Sequence, residues 1–377
     1  MTLSKNDQKS CPIFRKSFSN LSDPRRTNKG NFYYPLDEIL FLTISAVISG
    51  MDNWTAISNF GKIKLDWLKN YFPFENGIPS HDVLGNVFAA IDSDAFSVCF
   101  TDWINTLAKV SVGEVVAIDG KTARKSDDKN SGKRPLHIVS AYATENKVCL
   151  GQYCVDEKSN EITAIPQLLE LLIIKGTVIT IDAMGCQKDI AKQIIDKEAD
   201  YVLMVKGNQK HLMQQIEATF KGIIVNQSSK KHDMGHGRIE MRLCETTEDL
   251  SLIEKKKDWK GIKSLVRISS DRINKSSGKA SQEIRYYISS LQSDADRLND
   301  IIRSHWAIEN NLHWVLDMVF KEDGSLKKKG NSALNFNIIA KTALALIDKD
   351  TSSKKSKIVK RQSAALDDKY REKLLKI

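Results

Sequence analysis

The chain has 377 residues, with 57 Lys/Arg against 47 Asp/Glu and a formal charge of +10. Hydrophobic residues make up 41% and charged residues 28%, which excludes a largely disordered chain, a collagen and a small disulfide scaffold. The length suggests two or three domains, no apolar run nears the ~20 residues of a membrane span, and the polar, basic start carries no secretory signal.

The six cysteines, at 11, 99, 149, 154, 186 and 244, form no CxxC pair and read as reduced structural thiols. The positive charge favours a polyanionic partner. Residues 349–377 hold ten Lys/Arg against four Asp/Glu, so this stretch carries +6 of the +10. It reads either as a solvated tail or as a sequence-independent phosphate contact.

Residues 1–31 read as a flexible N-terminal arm. Pro35 opens a helix to residue 48, because proline suits a first helical turn. Asp52 caps a second helix over 54–60, a third spans 63–71, Ser80 caps one over 81–91, and Ser93 caps one to residue 110. Residues 32–110 therefore form an expected N-terminal helical domain. A helix-turn-helix reading of 63–71 and 81–91 lacks a clear basic face.

From Val115 the texture turns to strand. Residues 115–119, 136–144 and 148–156 are short β-type runs, the last two separated by Glu145-Asn146 as in a tight hairpin. A helix over 165–174 has Pro166 in its first turn. Strand 177–181, helix 187–197, strand 201–205 and helix 209–220 follow. Residues 223–292 return to β texture, with strands at 238–244, 264–269 and 283–289, and a long helix covers 294–320.

The order β-β-β-α-β-α-β-α describes a mixed five-stranded sheet flanked by helices, an α/β architecture of the ribonuclease-H-like type. Asp119 ends the first strand and Asp182 ends the fourth, and adjacent parallel strand ends bring such residues to one edge. Glu309 is the candidate third acid. Three close carboxylates repel one another, and oxygen-only ligands suit Mg²⁺ or Mn²⁺. Two such ions promote in-line displacement at a phosphodiester. The plain alternatives are a cap or turn role for each Asp and a surface ion pair for Glu309. A zinc reading of His305, Glu309 and His313, at i, i+4, i+8, lacks the HExxH spacing and a second ligand cluster.

At these residues the chain resembles the DDE transposases of bacterial insertion sequences, specifically the H-repeat-associated (ISAs-one type) group within the IS-four-like class. The resemblance rests on ordered stretches: Gly77-Ile78-Pro79-Ser80-His81-Asp82, Ala117-Ile118-Asp119-Gly120-Lys121-Thr122 and Lys158-Ser159-Asn160-Glu161-Ile162. It continues through Thr180-Ile181-Asp182-Ala183-Met184-Gly185, Lys206-Gly207-Asn208-Gln209, His236-Gly237-Arg238 and His305-Trp306-Ala307-Ile308-Glu309-Asn310. There are departures. Ile302, His305 and Leu316 stand where the wider class has Tyr, Arg and Lys, Asn86 stands where the group has Arg, and Lys327-Lys328 replace arginine.

The resemblance implies a catalytic triad and metal ligands Asp119, Asp182 and Glu309, with Mg²⁺ or Mn²⁺ as two ions. It implies cleavage at transposon ends followed by strand transfer into target double-stranded DNA by a homo-oligomer, in the bacterial cytoplasm and not at a membrane. The ribonuclease-H-like catalytic domain would span 111–222 and 293–347, interrupted by a β-rich insertion at 223–292 and followed by a basic tail at 348–377. Candidate DNA contacts are Lys121, Arg124, Lys158, Asn160, Lys206, Asn208, Gln209, His236, Arg238, Arg303 and His305. The plain reading of Asn160, Asn208 and Gln209 is helix capping, and Trp306 and Trp314 read as core side chains.

Overall fold

A computed structural model describes residues 11–25, 33–127, 132, 134–155, 160–222, 225–235 and 237–376. The expected contacts Lys158 and His236 lie outside the described residues.

Helix α1 (Pro12–Phe18) is not a flexible arm. Its Phe14 and Phe18 rings pack against Phe41, Phe72 and Trp103, so burying two aromatic faces fixes it to the core. Four helices follow as expected, α2 (Leu36–Ile48), α3 (Trp54–Ile63), α4 (Leu65–Lys69) and α5 (His81–Ala90), and then α6 (Ser93–Leu107). Ser80 caps α5 by accepting from the Val83 N–H. The caps of α3 and α6 are Asn53 and Asp92 rather than Asp52 and Ser93. Asp52 is taken up instead by Arg361.

The strands are β1 (Val115–Ala123), β2 (Leu136–Ala143), β3 (Val148–Cys154), then α7 (Glu161–Leu171), β4 (Val178–Ile181), α8 (Lys188–Asp196), β5 (Asp200–Val205) and α9 (Lys210–Gly222). Helix α7 starts four residues before its expected position, because Asn160 caps it by accepting from the Ile162 N–H at 3.0 Å. Pro166 therefore lies inside the helix, where its missing N–H forfeits one helical bond.

The strands β6 (Gln227–Gly235), β7 (Arg238–Thr247), β8 (Ser264–Asn274) and β9 (Ala280–Ser289) do not form a separate body. The nine described strands make one sheet in the order β3-β2-β1-β4-β5-β9-β8-β7-β6. Its first five strands have the ribonuclease-H-like arrangement, with β1 antiparallel to β2 and parallel to β4, and β4 parallel to β5. The inserted strands join through antiparallel pairing of β9 with β5. Strand β6 was not expected from its polar sequence. Its place at the sheet edge suits such residues, since charged side chains there discourage further pairing.

The long helix expected over 294–320 is broken into α10 (Ala295–Ser304), a π-helical turn (Ile308–His313) and α11 (Trp314–Met318). Helix α12 (Ser332–Lys349) is buried along most of its length, and its Lys341 ammonium donates to Ser140 Oγ at 2.8 Å and Gln152 Oε1 at 2.7 Å. No single described helix is long and apolar enough to cross a membrane.

The basic C-terminal stretch is not a solvated tail. It forms α13 (Lys357–Leu366) and α14 (Asp368–Leu375). Arg361 donates to the Val47 carbonyl at 2.8 Å and the Val319 carbonyl at 2.5 Å and pairs with Asp52. Arg371 is fully buried, donates to the Ala364 carbonyl at 2.7 Å and lies 4.0 Å from the Trp67 ring centre. These cations therefore serve as internal pins. Arg361→Ala orphans the Val319 carbonyl, removes a donor from the Val47 carbonyl and leaves Asp52 without its partner, so urea denaturation should show a loss of about 3–5 kcal/mol. The exposed neighbours give the control: Lys354→Ala and Lys355→Ala should each change stability by no more than about 0.5 kcal/mol.

Candidate active site

Parallel pairing of β1 with β4 ends at Ile118 and Ile181, so the next residues, Asp119 and Asp182, follow side by side; Asp182 leaves the sheet, whereas Asp119 does not end its strand as expected but pairs on with Ser140 of β2 in a strand that runs to Ala123. Asp182 also caps the short turn Ala183–Gly185 by accepting from the Met184 N–H at 3.0 Å. The same carboxylate thus serves as a cap and lines a cavity. Glu309 comes from the π-helical turn, where one extra residue per turn shifts side-chain direction, a feature often found at functional sites. All three acids line one open cavity.

The electrostatics of the three differ. Burial first, then the charges of Asp182, Glu161 and Glu309, push the Asp119 carboxyl up to about 7, against one hydrogen bond from the Gly120 N–H. Burial and Glu161 raise Asp182, opposed by the N–H groups of Gly185 and Met184 and by Lys206. Glu309, the most open of the three, is raised by partial burial and opposed by Arg285.

Among the described residues, no three acidic, thiol or imidazole side chains already meet around one ion. The fit to a hard divalent cation lies in the donor chemistry: carboxylate oxygens, and a buried acid whose proton is held to about pH 7 by burial and like charge. The zinc reading finds no support in the geometry. His305 and His313 do not form a metal-holding group with Glu309. Burial pushes them down to about 4 and about 3, so both imidazoles are neutral.

The expected DNA contacts divide sharply. Lys206 lines the cavity and is exposed, and Arg124 is 82% exposed just beyond β1. Lys121 is not free. Its ammonium lies 2.7 Å from Asp317 and 2.5 Å from Glu322, and it is mostly buried. Asn160 is the α7 cap. Asn208 and Gln209 donate to the Ala183 and Cys186 carbonyls at 2.6 and 3.0 Å, so they brace the turn that carries Asp182 rather than cap a helix. Arg303 faces Asp233 at 3.2 Å. Arg238 opens β7, opposite Asn274 of β8 in register. His305 lines the cavity, and its Nδ1 lies 3.0 Å from Thr180 Oγ1. Trp306 forms cavity wall, whereas Trp314 is 58% exposed and is no core side chain. The group's arginine positions are also accounted for: Asn86 accepts from Lys329 at 2.6 Å, and Lys327 is buried 3.6 Å from the Phe336 ring centre.

Sequence reasoning missed three residues around the acids and weighed a fourth, His313, only as a zinc ligand. Arg285 on β9 reaches the cavity only through the β5–β9 pairing, which has no local signature. His313 Nδ1 lies 3.6 Å from Asp119, and its Nε2 is buried without a partner. Glu161 bonds His137 at 2.5 Å beside Gly120. Glu161 stood inside a quoted motif, whereas His137 had no signal beyond its place on a strand.

A raised carboxyl pKa in the folded state means that the folded chain holds the proton longer than the unfolded chain. Its stabilising contribution is complete below about pH 4 and is lost as pH rises through about 7. In chelator, the protein should therefore lose stability between pH 4 and 7, and Asp119→Asn should flatten that slope. At pH 8 the Asp119→Asn substitution should raise metal-free stability, at most by about 4 kcal/mol, read from melting curves across pH.

A family model described as "Transposase DDE domain" matches residues 85–346, and one described as "DDE_Tnp_1-associated" matches 15–104. "Putative transposase YncI" of Escherichia coli O157:H7 is 44% identical over 93% of this chain and 92% of its own length. "H repeat-associated putative transposase YhhI" of Escherichia coli K12 is 41% identical over 89% and 91%. Among solved structures, a piggyBac transposase synaptic complex with hairpin DNA superposes with a TM-score of 0.47 at 10% identity, over 97% of this chain and 77% of that one. The family model and both relatives span most of the chain, including every acid of the cavity, and the chain belongs to the transposase DDE domain family.

Proposed function

We propose that this chain cuts DNA at the ends of a mobile element and joins the freed ends to target DNA, with Asp119, Asp182 and Glu309 holding two Mg²⁺ or Mn²⁺ ions. The observation that carries this reading is the approach of the three acids to one open cavity in a chain of this family. When bound, the cations supply Lewis acidity that activates the attacking oxygen and stabilises the leaving one at a phosphodiester.

The chain's own residues do the rest. Asp119 within β1 and Asp182 just past β4 follow the last matched pair of two adjacent strands, so their spacing resists relaxation. Asn208 and Gln209 fix the Asp182 turn. Lys206 and Arg285 place positive charge on the cavity wall, where a scissile phosphate gains charge-assisted contacts. Exposed Arg124 extends that contact along the backbone without reading bases. His305 stays neutral and supports the wall through Thr180. Lys121 holds the 317–323 segment against β1 through Asp317 and Glu322 rather than meeting phosphate. Pairing of two ends calls for more than one copy of the chain on DNA, acting where the bacterial chromosome lies.

The test is cleavage and joining of a DNA carrying the element's ends, with Mg²⁺ or Mn²⁺. The active protein should do both, and Asp119→Ala, Asp182→Ala and Glu309→Ala should each lose at least about a thousandfold, equivalent to about 4 kcal/mol of transition-state stabilisation. Cutting without end preference or joined product would identify a nuclease of the same fold instead. Tight binding to ends with no cutting would identify a DNA-binding relic.

A further inference from the structure

Asp119 belongs to a polar row that crosses three strands. Ser140 of β2 stands opposite it in register, and Gln152 of β3 stands opposite Ser140. Paired residues of neighbouring strands share one face of a sheet. Lys341 of α12 donates to both Ser140 Oγ and Gln152 Oε1, so its buried ammonium lies on the face of β1 that carries Asp119. His313 reaches the same face from the end of the π-helical turn, with Nδ1 3.6 Å from Asp119 Oδ2 and both side chains mostly buried. Among the described residues no other basic side chain pairs with Asp119.

The plain role for His313 is packing. Its ring argues for more, because Nε2 is buried without a partner. A neutral imidazole has one donor nitrogen and one acceptor nitrogen, and the surroundings of one decide the state of the other. With the proton on Nε2, an N–H would be buried without an acceptor, and the Nδ1 lone pair would face a carboxylate oxygen. With the proton on Nδ1, the N–H faces that oxygen, and the Nε2 lone pair lies in the field of the Lys341 ammonium, the strongest charge acting on His313. The second arrangement is better at both ends of the ring. The separation of 3.6 Å is a few tenths of an ångström longer than a hydrogen bond, and contacts of this kind are often long until a site is filled.

Building on the function proposed above, we infer that His313 is a positioning residue for Asp119: its Nδ1–H holds Oδ2 from behind and steadies the carboxylate that the cavity presents to a divalent cation. His313 lies behind the cavity and touches neither substrate nor ion. Groups that orient a metal-binding side chain in this way are worth about 10–100-fold in metal affinity.

The test reads the ring first and the ion second. The full-length protein is labelled with ¹⁵N at its seven histidines, and the His313 signals are identified by their loss in His313→Asn. Nuclear magnetic resonance should show His313 protonated on Nδ1, and a ring protonated on Nε2 overturns the proposal. Mn²⁺ binding, read by electron paramagnetic resonance of free Mn²⁺ without DNA, then separates positioning from packing. The amide nitrogen of asparagine stands where Nδ1 stands, and that of glutamine where Nε2 stands. His313→Asn should therefore bind Mn²⁺ nearly as well as the unmodified chain, and His313→Gln about tenfold more weakly. Circular dichroism checks the fold of each variant. Equal weakening in His313→Asn and His313→Gln would reduce His313 to a packing residue. Asp119→Asn tests the underlying site. If it weakens binding while His313→Gln binds like the unmodified chain, the role of His313 is overturned and the site stands. If Asp119→Asn also binds normally, the metal site itself falls, and the role of His313 with it.

Discussion

Negative charges held close together in a half-buried crevice repel one another, and the architecture of this chain works against that repulsion. The parallel pairing of β1 and β4 is the means: it sets Asp119, held within β1 by β2 on its other side, beside Asp182, just past the end of β4. Nearby donors offset part of the strain. The Gly120 N–H serves Asp119, the Met184 and Gly185 N–H groups serve Asp182, and Arg285 faces Glu309. The remainder still holds the Asp119 proton to about pH 7.

The rest of the fold can be followed outward from that edge. The inserted strands do more than lengthen the sheet. Through β9 they deliver Arg285 and Tyr287 to the same cavity. The break in the helical segment after α10 delivers Glu309 from the opposite side. Two rigid sources of acid and one helical source thus meet over a wall made by a third stretch of chain.

How much of this was legible follows from the range of each interaction. Asp119 and Asp182 could be read because each ends a short apolar run, and strand order is a local pattern. Glu309 needed the family resemblance, since a period of 3.6 residues does not announce a π-helical turn. Arg285 was illegible because only strand pairing brings it near β5. Glu161 was missed because its position depends on an absent side chain at Gly120. The charge was the most misleading signal. Lys121, Lys327, Lys341, Lys360, Arg361 and Arg371 all count toward the +10, yet each is spent inside the molecule on carbonyls, carboxylates or rings. The cations open to a polyanion have to be found one by one.

The docking of α13 and α14 has a consequence for how the protein comes into being. Domains at the start of a chain commonly fold while the remainder is still being made. Here the Val47 carbonyl of an early helix meets Arg361, 314 residues further along the chain, and the Trp67 ring meets Arg371. The early helices therefore complete their packing only once α13 and α14 have been made. A chain that loses α13 and α14 leaves the early helices partly opened, which is the kind of apolar surface that quality-control proteases act on.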